Sequence, residues 1–234
     1  SAGAAWYLLE VLAGIPFDAL DAATTSRSEL SEYDLLVVPS GSPRRSADDL
    51  ATRLREWVEQ GGTMVTLGSS TRWAAGSLAE VDLRTAEASD LSEEERRRLG
   101  LRTTQERRSD AWDDAVTGII LPLTLDEDHP LAWGAGSGNE RASTFTLHLN
   151  DLALEPSANH ETVASFGESI DAVSGVVSED KLEEIAASSW LAVARVGSGN
   201  VVVCADDPLV RLMWAADCVR VTEALGYGPG LRGG

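Results

Sequence analysis

The sequence predicts an α/β fold, a parallel sheet flanked by helices with an additional β-rich segment in its second half. Three observations carry that prediction. Asp34-Leu35-Leu36-Val37-Val38 is apolar on both faces and is cut off by Pro39 and the small loop Ser40-Gly41-Ser42-Pro43, as a buried parallel strand would be. Ser46, with Asp49 three positions on in capping-box style, opens a helix whose Leu50, Leu54, Trp57 and Val58 recur at helical spacing until Gly61-Gly62. Met64-Val65-Thr66-Leu67 is a second apolar run, stopped by Gly68-Ser69-Ser70-Thr71. Two buried strands joined by an amphipathic helix make a right-handed crossover, which places both loops on the carboxyl edge of the sheet. A binding or catalytic site is expected there.

The other elements follow in order. Ala5 to Leu12 reads as a helix with Trp6, Leu9 and Leu12 on one face, ended by Gly14. Ile15 to Leu20 reads as a short extended piece, its proline favouring an edge. A doubly wound sheet normally begins with a strand feeding the first helix. None is seen here, so the slot of that strand is expected to be filled by a partner chain or closed by its neighbours. A short helix and a weak extended piece span residues 72 to 83. The charge-dense stretch 86–114, with Ser92-Glu93-Glu94-Glu95-Arg96-Arg97-Arg98, reads as a solvated surface insertion. Gly118 to Leu125, Ser143 to Leu149 and Thr162 to Phe166 read as strands, with Val173 to Val177 as a turn-flanked one. The alternating Gly134, Gly136 and Gly138 lack the strand before and helix after that a dinucleotide fingerprint needs, and read as a loop. Ser178 caps a short helix over 179–187. Trp190 to Val196 and Asn200 to Ala205 form a hairpin through Gly197-Ser198-Gly199. An amphipathic helix over 209–225 follows, then a glycine-rich tail, 226–234, expected to be loose. The whole, 1–234, reads as one domain.

Composition bounds the function. The net charge of −19 argues against nucleic acid or an anionic membrane as partner. No apolar run approaches the roughly 18–20 residues of a membrane span, and the first residues lack the basic-then-apolar order of a signal peptide. Cys204 and Cys218 read as core thiols rather than a disulfide. With three histidines and no HExxH, HxxE or CxxC spacing, neither a metal nor another cofactor is expected.

Nucleophilic catalysis is the more serious test. Gly68-Ser69-Ser70 lies where an elbow would expose a nucleophile, which makes Ser69 the one catalytic candidate. A serine needs a base and the base an orienting group. His160 lies beside the carboxylate of Glu161, and it reads as a surface histidine in a polar loop. His148, three residues from Asp151, sits on a strand and makes a poor pair with it. Asp206-Asp207 ends a strand and reads first as a helix N-terminal cap. Ser40, Gly41, Ser69, Ser70, Asp206 and Asp207 are the ligand-binding candidates of the carboxyl edge.

Tyr33 to Gly41 and Leu54 to Thr63 together resemble the class I glutamine amidotransferase-like domain, a flavodoxin-like fold. Trp6 to Phe17, Asp128 to Gly134, Val173-Ser174-Gly175, Val196 to Val202 and Asp207 to Arg211 resemble more closely the subset of these domains found on the C-terminal side of bacterial zinc carboxypeptidase-like proteins. The resemblance implies a cysteine on the elbow and a histidine beyond the last strand. Ser69 and Asp206-Asp207-Pro208 stand at those places instead, so it implies the fold and not the glutaminase activity. The zinc peptidase motif is absent too. The expectation is therefore a non-catalytic accessory or interaction domain. Its partner would be a catalytic peptidase domain or another chain filling the missing first strand, or a second copy in a homo-oligomer. A secreted or periplasmic setting is suggested by the resemblance alone. The alternatives are a serine-dependent hydrolase using Ser69, or a sugar or small-polar-ligand module of the kind that related trehalose-utilisation-type domains suggest.

Overall fold

A computed structural model describes residues 1–41, 47–84, 103, 105, 116–135 and 143–231. Ser46 and its cap, the 86–114 insertion apart from 103 and 105, and Gly136 and Gly138 lie outside the described residues.

The crossover read from the sequence is present. Strand β1 (Leu35–Val38) leads through helix α3 (Ala47–Glu59) to β2 (Thr63–Leu67), and the strands pair in parallel with Leu35 opposite Thr63. Leu50, Leu54, Trp57 and Val58 form the buried stripe of α3. Gly61 ends the helix at φ 117°, and any Cβ on Gly62 would collide with the Trp57 ring. Helix α4 (Ser69–Ser77) starts directly at the end of β2, so Ser69 to Thr71 are its first turn rather than a loop.

The sheet is mixed, which corrects the expectation of a parallel one. Its order is β1-β2-β9-β8-β7-β4-β5, with β4 at Ile119–Leu125, β5 at Ser143–His148, β7 at His160–Ser165, β8 at Ser189–Val196 and β9 at Gly199–Cys204. Among the described residues only the β1–β2 and β2–β9 pairs are parallel. The predicted β8–β9 hairpin, turning on Gly197 at φ 61°, reverses direction, and every later pairing along that path is antiparallel. Strands joined by hairpins or by returning chain need no crossover helix and pair antiparallel. Past the end of β9, the two-residue strand β6 (Ala153–Leu154) joins β8 at Ser189, and β3 (Leu83–Arg84) joins β6. Residues 173–177 contribute one bridge, Ile120 to Ser174, rather than a strand.

The core is built on β2 and β9, whose residues are all buried, with Trp190 and the leucines of β4 behind them. A short helix α5 (Glu179–Ile185) is capped by the Ser178 hydroxyl, which accepts from Lys181 N, as read from the sequence. The predicted helix over 209–225 begins only at Ala215, as α6 (Ala215–Tyr227). Arg211 and Leu212 hold positive φ angles of 49° and 51°, which break the helix before it starts. Part of the tail is anchored: the Gly228 and Leu231 carbonyls accept from Thr63 Oγ1 and Asn200 Nδ2.

The amino-terminal helix α1 (Ala2–Trp6) continues in wide π turns over Tyr7–Ala13 to Gly14, in the left-handed conformation. Its buried face is Ala5, Leu8 and Leu9, while Trp6 and Leu12 point outward, contrary to the face expected. Residues 15–20 form no strand, and the single-turn helix α2 (Ala22–Thr25) follows, capped by Asp21, which accepts from Thr24 N. β1 ends the sheet, and its residues are half-buried where those of β2 are buried throughout. No helix among the described residues is long and apolar enough to cross a membrane.

Candidate functional site

The ends of β1, β2 and β9 meet at the carboxyl edge and bring most of the candidate residues together. The residue in the strained elbow conformation is Gly68, at φ 56° and ψ −125°, one position before Ser69. Its N–H donates to the Asp206 and Cys204 carbonyls at 2.7 and 3.1 Å. A Cβ there would lie 2.8 Å from Ser40 Oγ and 3.3 Å from Asp207 N, so the turn has room only for glycine. The position that would present a nucleophile therefore carries no side chain.

Ser69 is exposed on the first turn of α4. Its hydroxyl lies 3.0 Å from Ser40 Oγ and donates to the Gly41 carbonyl at 3.3 Å, while its N–H donates to Ser40 Oγ. Ser40, Gly41 and Ser69 thus form one small polar cluster. Ser70 is buried and works as a latch. Its hydroxyl reaches the Val38 and Leu67 carbonyls, both at 2.9 Å, and accepts from Leu67 N, so β1 and β2 end in register. Thr71 Oγ1 does the same for β9 through the Cys204 carbonyl, at 2.7 Å.

Asp206 and Asp207 part company. Asp207 is half-buried and its Oδ1 accepts from Leu209 N in a local turn. Asp206 is not a helix cap: it is fully buried, and α6 begins nine residues later, after Trp214. Its Oδ2 lies 2.5 Å from His148 Nδ1 and accepts from Trp190 Nε1 at 3.0 Å. Its Oδ1 accepts from Leu149 N at 2.9 Å and from Asn150 Nδ2 at 2.8 Å. The far strand of the sheet is thereby curled back onto the end of β9. His148 itself has no exposed surface, stands edge-on to Phe166, and leaves Nε2 without a partner among the described residues. A second buried carboxylate repeats the pattern: Asp217 on α6 accepts from Thr146 Oγ1 and Leu147 N, docking the helix on β5. Burial pushes its carboxyl up to about 7.

Sequence reasoning missed the His148–Asp206 pair. The sequence carried no signal for it: the alternation of β5 would bury Phe145, yet the fold buries Thr146 and His148 and leaves Phe145 45% exposed. The other histidines are also committed or enclosed. His129 Nδ1 accepts from Leu131 N and its Nε2 faces Glu161 at 3.4 Å. His160 lies in β7 rather than in a surface loop; it is buried, and burial lowers its imidazole's affinity for a proton. Asp151 pairs with Arg72 at 2.6 Å, not with His148. Both cysteines are free thiols, with Cys204 buried beside Asp206 and pushed well up by that burial. Among the described residues no group of three or more His, Cys, Asp or Glu side chains could hold a metal. A polar cleft of about 260 Å³, lined by Arg55, Glu59, Glu80 and Arg195, lies by the Gly197 turn at the opposite edge.

No family model and no curated protein matches this sequence. Among solved structures the chain is similar to a cytoplasmic protein from Salmonella typhimurium, with TM-score 0.55, 13% identity, and 97% of this chain and 86% of that one covered. It is similar also to a protein described as ThuA-like from Bacteroides uniformis, with TM-score 0.55, 12% identity, and coverage of 99% and 87%. A second cytoplasmic protein of Salmonella typhimurium gives TM-score 0.52, 12% identity, and coverage of 97% and 87%. At such identities the likeness shows the fold alone: in its coarse architecture the chain shares the ThuA-like, class I amidotransferase-like fold.

Proposed function

We propose that this chain is a non-catalytic amidotransferase-like domain that serves association with another polypeptide, of the kind appended to zinc carboxypeptidase-like proteins. The attribution to those proteins rests on the sequence resemblance. The absence of catalysis rests on one observation, that the elbow conformation is taken by Gly68 while the neighbouring Ser69 hydroxyl, among the described residues, is hydrogen-bonded to Ser40 and Gly41 alone. A hydroxyl held by another hydroxyl and a carbonyl has no group to take its proton. Incubation of the purified protein with glutamine and with a p-nitrophenyl ester tests this. No turnover above buffer is expected, and turnover abolished in Ser69→Ala would overturn the reading in favour of a serine hydrolase. Association with a zinc carboxypeptidase domain is read by mixing the two and measuring a complex by light scattering.

A second reading is favoured by the exposed Ser40–Gly41–Ser69 cluster, whose hydroxyls and carbonyl suit a sugar or another small polar ligand. Titration calorimetry against a sugar panel separates the two. Binding lost in Ser40→Ala would support the ligand module.

A further inference from the structure

The amino-terminal eighteen residues are fastened to both ends of β1. Ser40 N donates to Ser1 Oγ just after the strand, and Tyr33 Oη donates to Asp18 Oδ2 just before it. Between those anchors the chain adds no strand to the sheet. β1 pairs only with β2 among the described residues, and its other edge leaves backbone donors and acceptors without a ladder partner. Every residue from Glu10 to Ala19 is exposed. Trp6, Tyr7, Val11, Leu12, Ile15 and Phe17 are all exposed, an apolar concentration on one short segment that solvated surfaces rarely carry. The same segment is acidic: Glu10, Asp18, Asp21, Glu29, Glu32 and Asp34 are exposed, against the single cation Arg27 within residues 1–41.

We infer that the free edge of β1, together with the apolar surface of residues 6–17, receives an extended apolar strand with basic flanks from another polypeptide. This deepens the association reading above and rests on it. Strand addition draws its affinity from main-chain hydrogen bonds at a free sheet edge and its specificity from side chains lodged alongside. The charge selects the occupant. A second copy would set the same six carboxylates against themselves, whereas lysines or arginines flanking an apolar strand would meet them with opposite sign. A four-residue edge is also too short to hold two copies by the sheet alone, and needs the apolar neighbours to contribute.

The probe is a fluorescently labelled synthetic peptide of alternating valine and threonine flanked by paired lysines, with a twin flanked by glutamates. Anisotropy titrations at low salt are expected to show the lysine peptide binding at least about tenfold more tightly than its twin. Raising the salt should narrow that gap. Val11→Asp and Leu12→Asp, both at exposed positions that leave the core intact, should each weaken the lysine peptide about tenfold. Hydrogen exchange at Leu35 to Val38 should slow when the peptide is added. Binding of neither peptide, equal binding of both, or a dimer by light scattering with those amides already protected would overturn the inference. Ser69-dependent hydrolysis would instead overturn the reading on which it rests, whatever the peptides do.

Discussion

Removal of the Asp206 carboxylate is the sharpest test of how the carboxyl edge is held. In Asp206→Ala, Trp190 Nε1, Leu149 N and His148 Nδ1 lose the acceptor that the structure gives them, while Asn150 Nδ2 keeps the Ala205 carbonyl at 3.0 Å. An orphaned buried donor costs about 1–3 kcal/mol, and three are orphaned here. Partial relaxation and water entering the space left behind bring the expected loss to about 4 kcal/mol, a large share of the roughly 5–15 kcal/mol that holds a domain folded. A helix cap, the role first read for this residue, would cost only about 0.5–2 kcal/mol. His148→Leu should cost less, about 1–2 kcal/mol. It removes one donor from a carboxylate that retains three N–H groups, and it also removes the unpartnered Nε2. Urea titration followed by tryptophan fluorescence reports both variants, because Trp190 lies on Asp206, and an unchanged slope would confirm that the shift is one of stability. A loss below about 1 kcal/mol for Asp206→Ala, or a larger loss for His148→Leu than for Asp206→Ala, would refute the account.

Gly68→Ala should lower stability by about 1–3 kcal/mol in the same assay, since the residue sits at φ 56° with Ser40 Oγ in the way of a Cβ. Asp217→Asn should flatten part of the pH dependence of stability. The folded carboxyl titrates near 7 rather than at its ordinary 3.8, so the protonated form is favoured by folding. Its contribution is full below about 3.8 and is lost as the pH rises towards 7, burial causing the shift and the hydrogen bonds from Thr146 and Leu147 partly opposing it. At pH 8 the asparagine variant should therefore melt above the parent, and a melt below it would contradict the assignment. Cys204 should resist a thiol reagent until the protein unfolds, being buried and pushed up; rapid labelling of both cysteines in the native protein would count against this packing.

Much of the fold was legible because its signals are local. The apolar runs at 34–38 and 64–67, the 3.6-residue recurrence from Leu50 to Val58, and the Gly197-Ser198 turn each specify their element through neighbours a few residues away. The same locality explains the mistakes. The sequence pattern through Leu209 and Val210 is helical, yet Arg211 and Leu212 take positive φ in the folded chain and hold the helix off until Ala215. His160 read as a loop residue because its polar neighbours are local, while the β8 partner that encloses it, Ala194, is not.

The candidate site divides along the same line. Ser40, Ser69 and Ser70 could be placed at one edge because a crossover connection fixes which ends of parallel strands meet. The sequence by itself therefore determined the parallel core, the turns that bound it, and an edge lined with hydroxyls. Only the tertiary structure decided that Gly68 takes the strained place, that β1 pairs on one side alone among the described residues, and that His148 reaches Asp206 across 58 residues of chain. Periodicity records which way a side chain faces relative to its own element. What it then meets depends on how the sheet curls, and that is set by all the strands together.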